Sequence, residues 1–164
     1  MQEIKFGDRP VGSGHPPFLV AEVGINHNGE LGRALEMVHV ASRTGCDAVK
    51  FQTFKAAEFV NDASQMFTYR SQGREVTESM LAMFQRHELP ESAWPIIKSE
   101  CEKVGIQFIS TPQNRTDLDI LLQVGVPAVN LRLHGRSEEV FAADKALVEA
   151  ARARQELLRH LQGF

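Results

Sequence analysis

Four short apolar runs, separated by segments with helical periodicity, restrict the fold of this chain more than any other feature. The runs cover residues 18–23, 48–53, 106–111 and 126–131, and Gly, Pro or polar residues bound each of them. Strands that alternate with helices pair in parallel through right-handed crossovers, because each helix returns the chain to the starting end of the sheet. The pattern therefore predicts an α/β fold in which helices cover a parallel sheet.

The helices between these runs have recognisable ends. Apolar residues recur at helical spacing over residues 31–41, and Gly45 stands where a left-handed residue ends a helix. Two further helices are predicted over 92–105 and 116–125, the latter with Asp119 in a capping box. Each predicted helix therefore connects one strand to the next.

Two segments depart from this alternation. Residues 3–7 and the glycine turn at 12–14 are predicted to form a small hairpin that caps the base of the sheet. After the second strand comes a long polar connection around Gly73, followed by a short helix over 79–85. The large apolar residues of this connection and helix are interpreted as core residues rather than as a cofactor site: Met66, Phe67, Met80, Met83 and Phe84.

Composition and charge limit the partners of the chain. Of its 164 residues, 43% are hydrophobic and 24% are charged, and the formal net charge is −3 without a basic stripe. We therefore expect one domain over residues 1–164, with neither nucleic acid nor a membrane as partner. The lack of a leader-like start and of a long apolar stretch leads us to expect a cytoplasmic protein. The separated Cys46 and Cys101 and the scattered histidines predict neither disulfides nor a metal site.

Chemically active side chains follow the first predicted strand and lie within the second. Glu22 is followed closely by Asn26 and His27. Lys50 shares one face of its strand with Gln52, because side chains alternate along a strand. Ligands of parallel α/β sheets bind beyond the carboxyl ends of the strands. A lysine held in a sheet is costly unless an anion compensates its charge, so Lys50 predicts a carboxylate partner or an anionic ligand such as phosphate.

The third predicted strand adds neutral hydrogen-bonding groups beside this site. It ends in Ser110 and Thr111, whose hydroxyls can donate to an anion next to the lysine. A structural interpretation stays open for each candidate. Glu22 and Lys50 could form a structural ion pair, His27 could only cap or pack, and the neighbouring asparagines could only shape a turn.

Three segments of the sequence carry a family resemblance: residues 21–29, AEVGINHNG, residues 47–55, DAVKFQTFK, and residues 108–112, FISTP. In this order and spacing they resemble the first three strand motifs of the sialic acid synthase family, to which the N-acetylneuraminate synthases belong. Residues 69–75 and 77–80 resemble the branch that makes sialic-acid-like nonulosonates. The resemblance covers about residues 10–130 and implies a partial TIM (β/α)8 barrel, comprising its first four βα units.

The resemblance also implies a reaction and roles for individual residues. In the family, phosphoenolpyruvate condenses with an N-acetylated amino sugar while a divalent metal, manganese or magnesium, polarises the sugar carbonyl. Glu22 resembles the residue that contacts the reacting end of the sugar as an acid/base or orienting group. Lys50 and Thr111 resemble phosphoenolpyruvate ligands, and Gln52 resembles a sugar contact. The supporting substrate-binding candidates are Asn26, His27 and Ser110.

The resemblance ends near residue 130. Where the family carries a lysine followed by Gly-Ser, residues 130–135 read NLRLHG, and residues 131–164 form a divergent tail with a helix predicted over 137–163. The metal ligands of the family lie in parts that this chain does not contain. We therefore expect a truncated chain without synthase activity of its own. The alternative is a non-catalytic half-barrel that forms a homodimer, associates through exposed barrel edges, or binds a sugar or phosphate ligand.

Overall fold

Strands and helices alternate along the part of the chain that the structure describes, which is residues 4–7, 9–71 and 73–130 of a computed structural model. The elements in chain order are β1 (Ile4–Phe6), β2 (Arg9–Val11), β3 (Val20–Gly24), α1 (Leu31–Arg43), β4 (Ala48–Thr53), α2 (Ala56–Phe59), β5 (Met66–Ser71), β6 (Arg74–Ser79), α3 (Met80–His87), α4 (Ala93–Lys103), β7 (Gln107–Pro112) and α5 (Arg115–Val124). Strands β3, β4 and β7 form a parallel sheet in that order. The predicted α/β fold with a parallel sheet and covering helices is confirmed.

The hydrophobic core lies between this sheet and the helices. The Phe51 ring of β4 lies 5.7 Å from the Phe108 ring of β7 and 6.3 Å from the Trp94 ring of α4, and all three side chains are buried. Because successive side chains of a strand point to opposite faces, burial of Phe51 against the helices directs Lys50 and Gln52 to the other face of the sheet.

The helix ends follow the sequence signals closely. Gly45 after α1 is left-handed with φ +80°, as predicted, and α5 ends at Gly125 as predicted, where φ is +75°. The predicted start of α5 was wrong by about two residues. Asn114 is the N-cap, and its side chain and that of Asp117 form the reciprocal capping box, because each accepts the backbone N–H of the other at 2.9–3.2 Å. Among the described residues, no helix has the length and hydropathy needed to cross a membrane.

The fourth predicted strand, residues 126–131, is present only in part. A single parallel bridge joins Val129 to Ser110, and the Asn130 N–H donates to the Ser110 carbonyl at 3.0 Å. Residue 131 and the helix predicted over 137–163 lie outside the described residues.

The first hairpin, β1 and β2, lies at the amino ends of the parallel strands. Its Phe6 ring packs 4.9 Å from Phe18, which precedes β3. Arg9 forms an ion pair with Asp47, the residue before β4, and donates to the Pro17 carbonyl at 3.1 Å. The predicted hairpin at the base of the sheet is present, but its turn was placed wrongly: the chain reverses after Phe6, at Gly7, and the glycines of residues 12–14 follow the second strand. The carboxyl ends of the strands are left as the open side.

The second hairpin, β5 and β6, replaces the long loop that the sequence predicted after β4. Gly73 lies in its turn with φ +79°. Met66 is 58% exposed and Phe67 39% exposed, so the core interpretation was wrong for these two residues. It holds for Phe84 of α3, whose ring lies 4.7 Å from that of Phe59. The hairpin thus presents part of its apolar surface to solvent while α3 anchors it.

The loop that follows β3 approaches the backbone of α3 at Gly29. A Cβ atom at this position would overlap the Arg86 carbonyl oxygen and lie 3.3 Å from its carbonyl carbon and 3.5 Å from the Glu88 oxygen. Gly29 also has φ +74°, which L-residues rarely adopt. Two independent constraints therefore require glycine here.

We predict that Gly29→Ala is more destabilising than Gly45→Ala. At Gly45, φ is +80° but a Cβ atom would have no neighbour within 4 Å, so alanine costs only the left-handed conformation, about 1 kcal/mol. At Gly29 the clash with a backbone oxygen adds to this cost, and we expect at least about 3 kcal/mol in total. Urea denaturation of the two variants measures the difference, and equal losses of stability would show that the loop does not press against α3.

Candidate functional site

An ion pair joins neighbouring strands of the parallel sheet on the face away from the core. Glu22 and Lys50 are register partners in β3 and β4, and Lys50 Nζ lies 2.5 Å from Glu22 Oε2. The Lys50 side chain is 21% exposed, whereas that of Glu22 is 54% exposed. The lysine charge is therefore compensated by a carboxylate that can move away into solvent.

Gln52 and Thr111 lie on the same face as this ion pair. They are opposite one another in the register of β4 and β7, and paired residues of a sheet project to one side. A bulge interrupts β3 between Glu22 and Gly24, and a Cβ atom on Gly24 would lie 3.6 Å from both Gln52 Nε2 and Glu22 Oε1. The glycine thus leaves open space between these two polar groups.

Lys50 also lines a cavity on this face. The cavity has a volume of about 280 Å³, and Phe6 of the first hairpin forms part of its wall together with Val20 and Ile109. The first hairpin therefore reaches the region next to the lysine from the amino side of the sheet.

Ser110 lies on the opposite face from Lys50. Its hydroxyl is 2.7 Å from Thr53 Oγ1, and both residues are buried on the helix side of the sheet. Because neighbouring residues of a strand point to opposite faces of the sheet, the Ser110 and Thr111 hydroxyls cannot both lie on the Lys50 face. The structure therefore brings Thr111, but not the Ser110 side chain, to the Lys50 face.

Asn26 and His27 lie in the loop after β3 and differ in burial. Asn26 is exposed, whereas His27 is buried with its ring centre 5.9 Å from that of Phe51. His27 Nδ1 accepts the Gly29 N–H at 3.1 Å, so Nε2 carries the proton of the neutral ring and meets no acceptor among the described residues. Burial, assisted by the nearby His87, lowers the pKa of His27 to about 4. Its environment is that of a packed, neutral histidine.

A groove beside this loop contains residues that sequence reasoning did not assign to a site. It has a volume of about 670 Å³. Its walls come from the loop after β3, the second hairpin and α3, and are formed by Ile25, Asn26, Asn28, Phe67, Tyr69, Met83, Arg86 and His87. The alternation of Phe67 and Tyr69 before Gly73 is the one signal of a strand in this otherwise polar segment, and the sequence analysis did not use it.

The described residues do not fit the divalent metal that the family resemblance implies. Across residues 4–7, 9–71 and 73–130, no three His, Cys, Asp or Glu side chains converge as metal ligands. The roles proposed below for the described residues are therefore those of side chains without a metal.

Comparison with known proteins decides the family. Residues 37–132, more than half of the chain, match the NeuB family. The chain belongs to the NeuB family. The resemblance to sialic acid synthases on the strand motifs is thereby confirmed.

Two relatives illustrate the extent of the match. An uncharacterised protein of Methanocaldococcus jannaschii is 37% identical over 131 residues, which is 80% of this chain and 35% of the relative. The N,N'-diacetyllegionaminic acid synthase of Legionella pneumophila is 35% identical over 125 residues, which is 76% of this chain and 35% of that protein. The chain thus spans about a third of the length of the curated NeuB relatives that it matches.

The fold is shared with a solved structure. The N-acetylneuraminic acid synthetase of Leptospira borgpetersenii superposes with a TM-score of 0.69 at 21% identity, over 92% of this chain and 56% of the other. At this identity the likeness concerns the fold alone.

We predict that His27→Asn removes one pH-dependent component of stability. The pKa of His27 is 6.5 in the unfolded reference and about 4 when folded, so its contribution is complete above pH 6.5 and is lost as the pH falls toward 4. The loss amounts to at most about 3 kcal/mol. Asparagine can still accept the Gly29 N–H but cannot be protonated, and urea unfolding between pH 4 and 7.5 should show a flatter curve for the variant.

Asp117 also makes stability depend on pH, so the pH profiles of the parent chain and of His27→Asn have to be compared with each other. Burial raises the pKa of Asp117 to about 6, so its contribution is present below its unfolded pKa and is lost as the pH rises toward 6. This effect opposes that of His27 but is common to both proteins. A difference in stability that does not change with pH would contradict the role assigned to His27.

Proposed function

We propose that this chain provides the phosphoenolpyruvate-binding part of a synthase that condenses phosphoenolpyruvate with an N-acetylated amino sugar. The observation that carries the proposal is the ion pair of Glu22 and Lys50, in which an exposed carboxylate pairs with a half-buried lysine on the face of the parallel sheet away from the core. Relatives named as N,N'-diacetyllegionaminic acid synthase and N-acetylneuraminate-9-phosphate synthase support it. Sialic acid and related nonulosonates are the corresponding products.

Each polar side chain of this face has a role in the proposal. Lys50 binds an anionic group of phosphoenolpyruvate, and the Thr111 hydroxyl donates a hydrogen bond to it. When the ligand anion replaces Glu22 at Lys50, the Glu22 carboxylate becomes free to orient water or to transfer a proton at the sugar. Gln52, whose amide lies near Glu22 across Gly24, contacts the sugar.

The reaction that these roles serve forms one carbon-carbon bond and releases phosphate. C3 of phosphoenolpyruvate attacks the aldehyde carbon of the sugar, water adds at C2, and inorganic phosphate leaves as the C2 carbonyl forms. The protein's contribution in this face is to hold the two substrates in register and to compensate the phosphate charge.

We propose further that β3, β4, β7 and the residues around Val129 are the first four strands of a TIM barrel. In a barrel, the Lys50 face becomes the interior and the core described above lies between barrel and outer helices. The chain alone is expected to give little or no turnover, because it spans about a third of the length of its relatives and the described residues include no metal-ligand set.

A non-catalytic half-barrel is the second candidate, and one observation favours it. Leu19 and Val20, at the start of β3, are exposed, and within the described residues the outer edge of β3 pairs with no strand. Such an edge favours association with another chain, including a second copy. In this case the Lys50 face binds a sugar or phosphate ligand without reaction.

We predict that phosphoenolpyruvate binds to the chain through Lys50 and competes with Glu22. Lys50→Met should weaken binding at least tenfold, because it removes the cation. Glu22→Gln should strengthen binding several-fold, because it removes the competing carboxylate, and should change stability by less than about 1 kcal/mol. Phosphorus NMR titration of the 164-residue chain measures both effects.

The pair Lys98 and Glu102 on α4 offers a matched control. Lys98 is likewise about one-quarter exposed and pairs with a carboxylate. Lys98→Met and Glu102→Gln should leave phosphoenolpyruvate binding unchanged. If phosphoenolpyruvate binding is insensitive to Lys50→Met, or is weakened equally by Lys50→Met and Lys98→Met, Lys50 does not form a specific site. The pair of Glu22 and Lys50 is then only structural.

We predict that the chain by itself does not release phosphate. Incubation with manganese, phosphoenolpyruvate and N-acetylmannosamine, or with a diacetylated hexose, should give no phosphate above background in a colorimetric assay. Clear release would show that the described face and the remaining residues already form a complete catalytic site.

A further inference from the structure

We propose that the outer edge of β3 and the adjoining side of α1 form the interface of a two-fold dimer of this chain, in which β3 pairs antiparallel with β3 of the second copy. The inference goes beyond the proposed function, because it holds whether or not Lys50 binds phosphoenolpyruvate. It assigns a defined interface, with a register and an orientation, to the edge that favours association in the half-barrel candidate.

An apolar surface adjoins this edge on the helix side of the sheet. A cavity of about 500 Å³ lies between β3 and α1, and its walls include Ala21 of β3 and Met37 and Val40 of α1. Val40 is exposed, and so are Leu19 and Val20 at the start of β3. Exposed apolar side chains of a strand and of a helix therefore lie next to one another, and their burial against a second apolar surface is favourable.

The backbone of β3 presents unpaired hydrogen-bonding groups beside this surface. In the parallel register with β4, Val20 is opposite Ala48, and the Leu19 carbonyl accepts the Ala48 N–H at 3.2 Å. Successive residues of a strand direct their N–H and C=O groups to opposite sides, so those of Leu19 and Ala21 point to β4. Those of Val20 and Glu22 point to the outer edge, with which no strand pairs among the described residues. Such an edge is a template for another strand.

Two-fold symmetry selects one register for the pairing of the two β3 strands. Val20 of each copy exchanges two hydrogen bonds with Glu22 of the other, which gives four bonds around an axis at Ala21. Ala21 then faces its own counterpart at a non-hydrogen-bonded position, where Cα atoms are about 4.5 Å apart and a small side chain avoids a clash. The bulge between Glu22 and Gly24 ends the regular edge at this point.

The same axis brings the two α1 helices side by side. Neighbouring strands are about 4.8 Å apart, and α1 packs on both β3 and β4, so the axes of the two helices come to about 10 Å, a normal distance between packed helices. Arg33, Met37, Val40 and Thr44 line the cavity and recur at helical spacing, which places them on one side of α1. The apolar Met37 and Val40 form the middle of this stripe and meet their counterparts near the axis.

Charges beside the stripe are complementary in this orientation. Glu36 and Arg43 lie on the same face of α1, on the side of the stripe away from the buried Ala41, and both are exposed. Within the described residues, neither forms an ion pair. When two α1 helices pack antiparallel with Met37 opposite Val40, Glu36 of each copy lies next to Arg43 of the other. Two symmetric ion pairs therefore flank the apolar contact and favour this orientation.

The dimer leaves the Lys50 face open. A two-fold axis perpendicular to the sheet keeps α1 of both copies on one side and Lys50 of both copies on the other side. In the barrel of the proposed function, the same edge of β3 would close the barrel. Dimerisation and barrel closure therefore exclude each other.

Sedimentation velocity of the 164-residue chain at increasing concentration tests the interface. We expect a monomer–dimer equilibrium without larger species, because a two-fold contact is closed once two copies have met. Val40→Glu places a carboxylate in the apolar centre and should raise the dimer dissociation constant at least about tenfold. Ile96→Glu on α4 is the matched control, since Ile96 is 46% exposed and Val40 44%, and it should leave the constant unchanged. A chain that stays monomeric, that forms open-ended oligomers, or that responds equally to both variants would overturn the proposal.

Charge reversal tests the orientation of the helices. Glu36→Arg and Arg43→Glu should each weaken the dimer several-fold, because each places like charges side by side. The double variant should associate nearly as well as the parent chain, because both ion pairs are formed again with opposite polarity. A double variant that loses as much as the two single variants together would refute the contact between the α1 helices. Fluorescence of the sole tryptophan, the buried Trp94, checks that each core is intact.

A disulfide tests the strand register. In a chain with Cys46→Ser, Ala21→Cys should link two copies on oxidation, because facing residues at a non-hydrogen-bonded position lie within the range of a disulfide. Cys101 is buried and does not compete. Ile96→Cys in the same chain is the control and should not link two copies. No link at residue 21, or equal linking at both positions, would refute the register.

The outcomes separate this inference from the proposed function. Phosphoenolpyruvate binding that depends on Lys50, in a chain that stays monomeric, would refute the dimer alone. A dimer that responds to Val40→Glu and to charge reversal as expected, in a chain whose phosphoenolpyruvate binding does not depend on Lys50, would refute the anion site alone.

Discussion

The charge of Lys50 is the constraint on which the arrangement of this protein depends. An ammonium group in the middle of a β-strand has to be compensated, and strand alternation decides where this can happen, because the neighbouring Phe51 is committed to the core. The compensating group is Glu22 on the adjacent strand, and it is more exposed than the lysine. If both side chains of the pair were buried, the ion pair would be closed to solvent. Because the Glu22 carboxylate is exposed, an anionic ligand can approach the Lys50 ammonium group.

The second hairpin forms a groove beside the sheet, together with α3 and the loop after β3. The network of Tyr69, Glu78 and Arg86 fastens an aromatic ribbon to α3, and the close approach at Gly29 ties α3 to the loop after β3. The second hairpin, α3 and the loop after β3 are thus held together beside the carboxyl end of β3.

The sequence allowed accurate prediction wherever burial and alternation act together. Strand β4 has the predicted bounds, 48–53, because its apolar face is covered by helices and its most polar residues, Lys50 and Gln52, lie on the other side. The helix ends at Gly45 and Gly125 were predictable because glycine readily adopts the left-handed conformation that ends many helices. The partnership of Glu22 and Lys50 follows from adjacency of parallel strands, although their proposed roles do not.

The features that were missed depend on contacts between distant segments. The strands of the second hairpin are rich in Thr, Arg, Glu and Ser, so their pattern resembles a polar loop until pairing brings them together. The start of α5 was misplaced because Asn114 and Thr116 are both acceptable caps, and only the reciprocal bond with Asp117 selects the first. Ser110 and Thr111 both carry a hydroxyl group. They differ in the face of the sheet on which they lie: Ser110 bonds to Thr53 on the helix side, and Thr111 is opposite Gln52 on the Lys50 side.

The first hairpin has a consequence for the direction from which Lys50 is reached. Arg9 is bonded to Asp47, and Phe6 forms a wall of the cavity that Lys50 lines, so the hairpin covers the sheet on the amino side of the lysine. Under the proposed function, the anion therefore approaches from the side of the carboxyl ends, and loss of the hairpin would open a second route to the same cation.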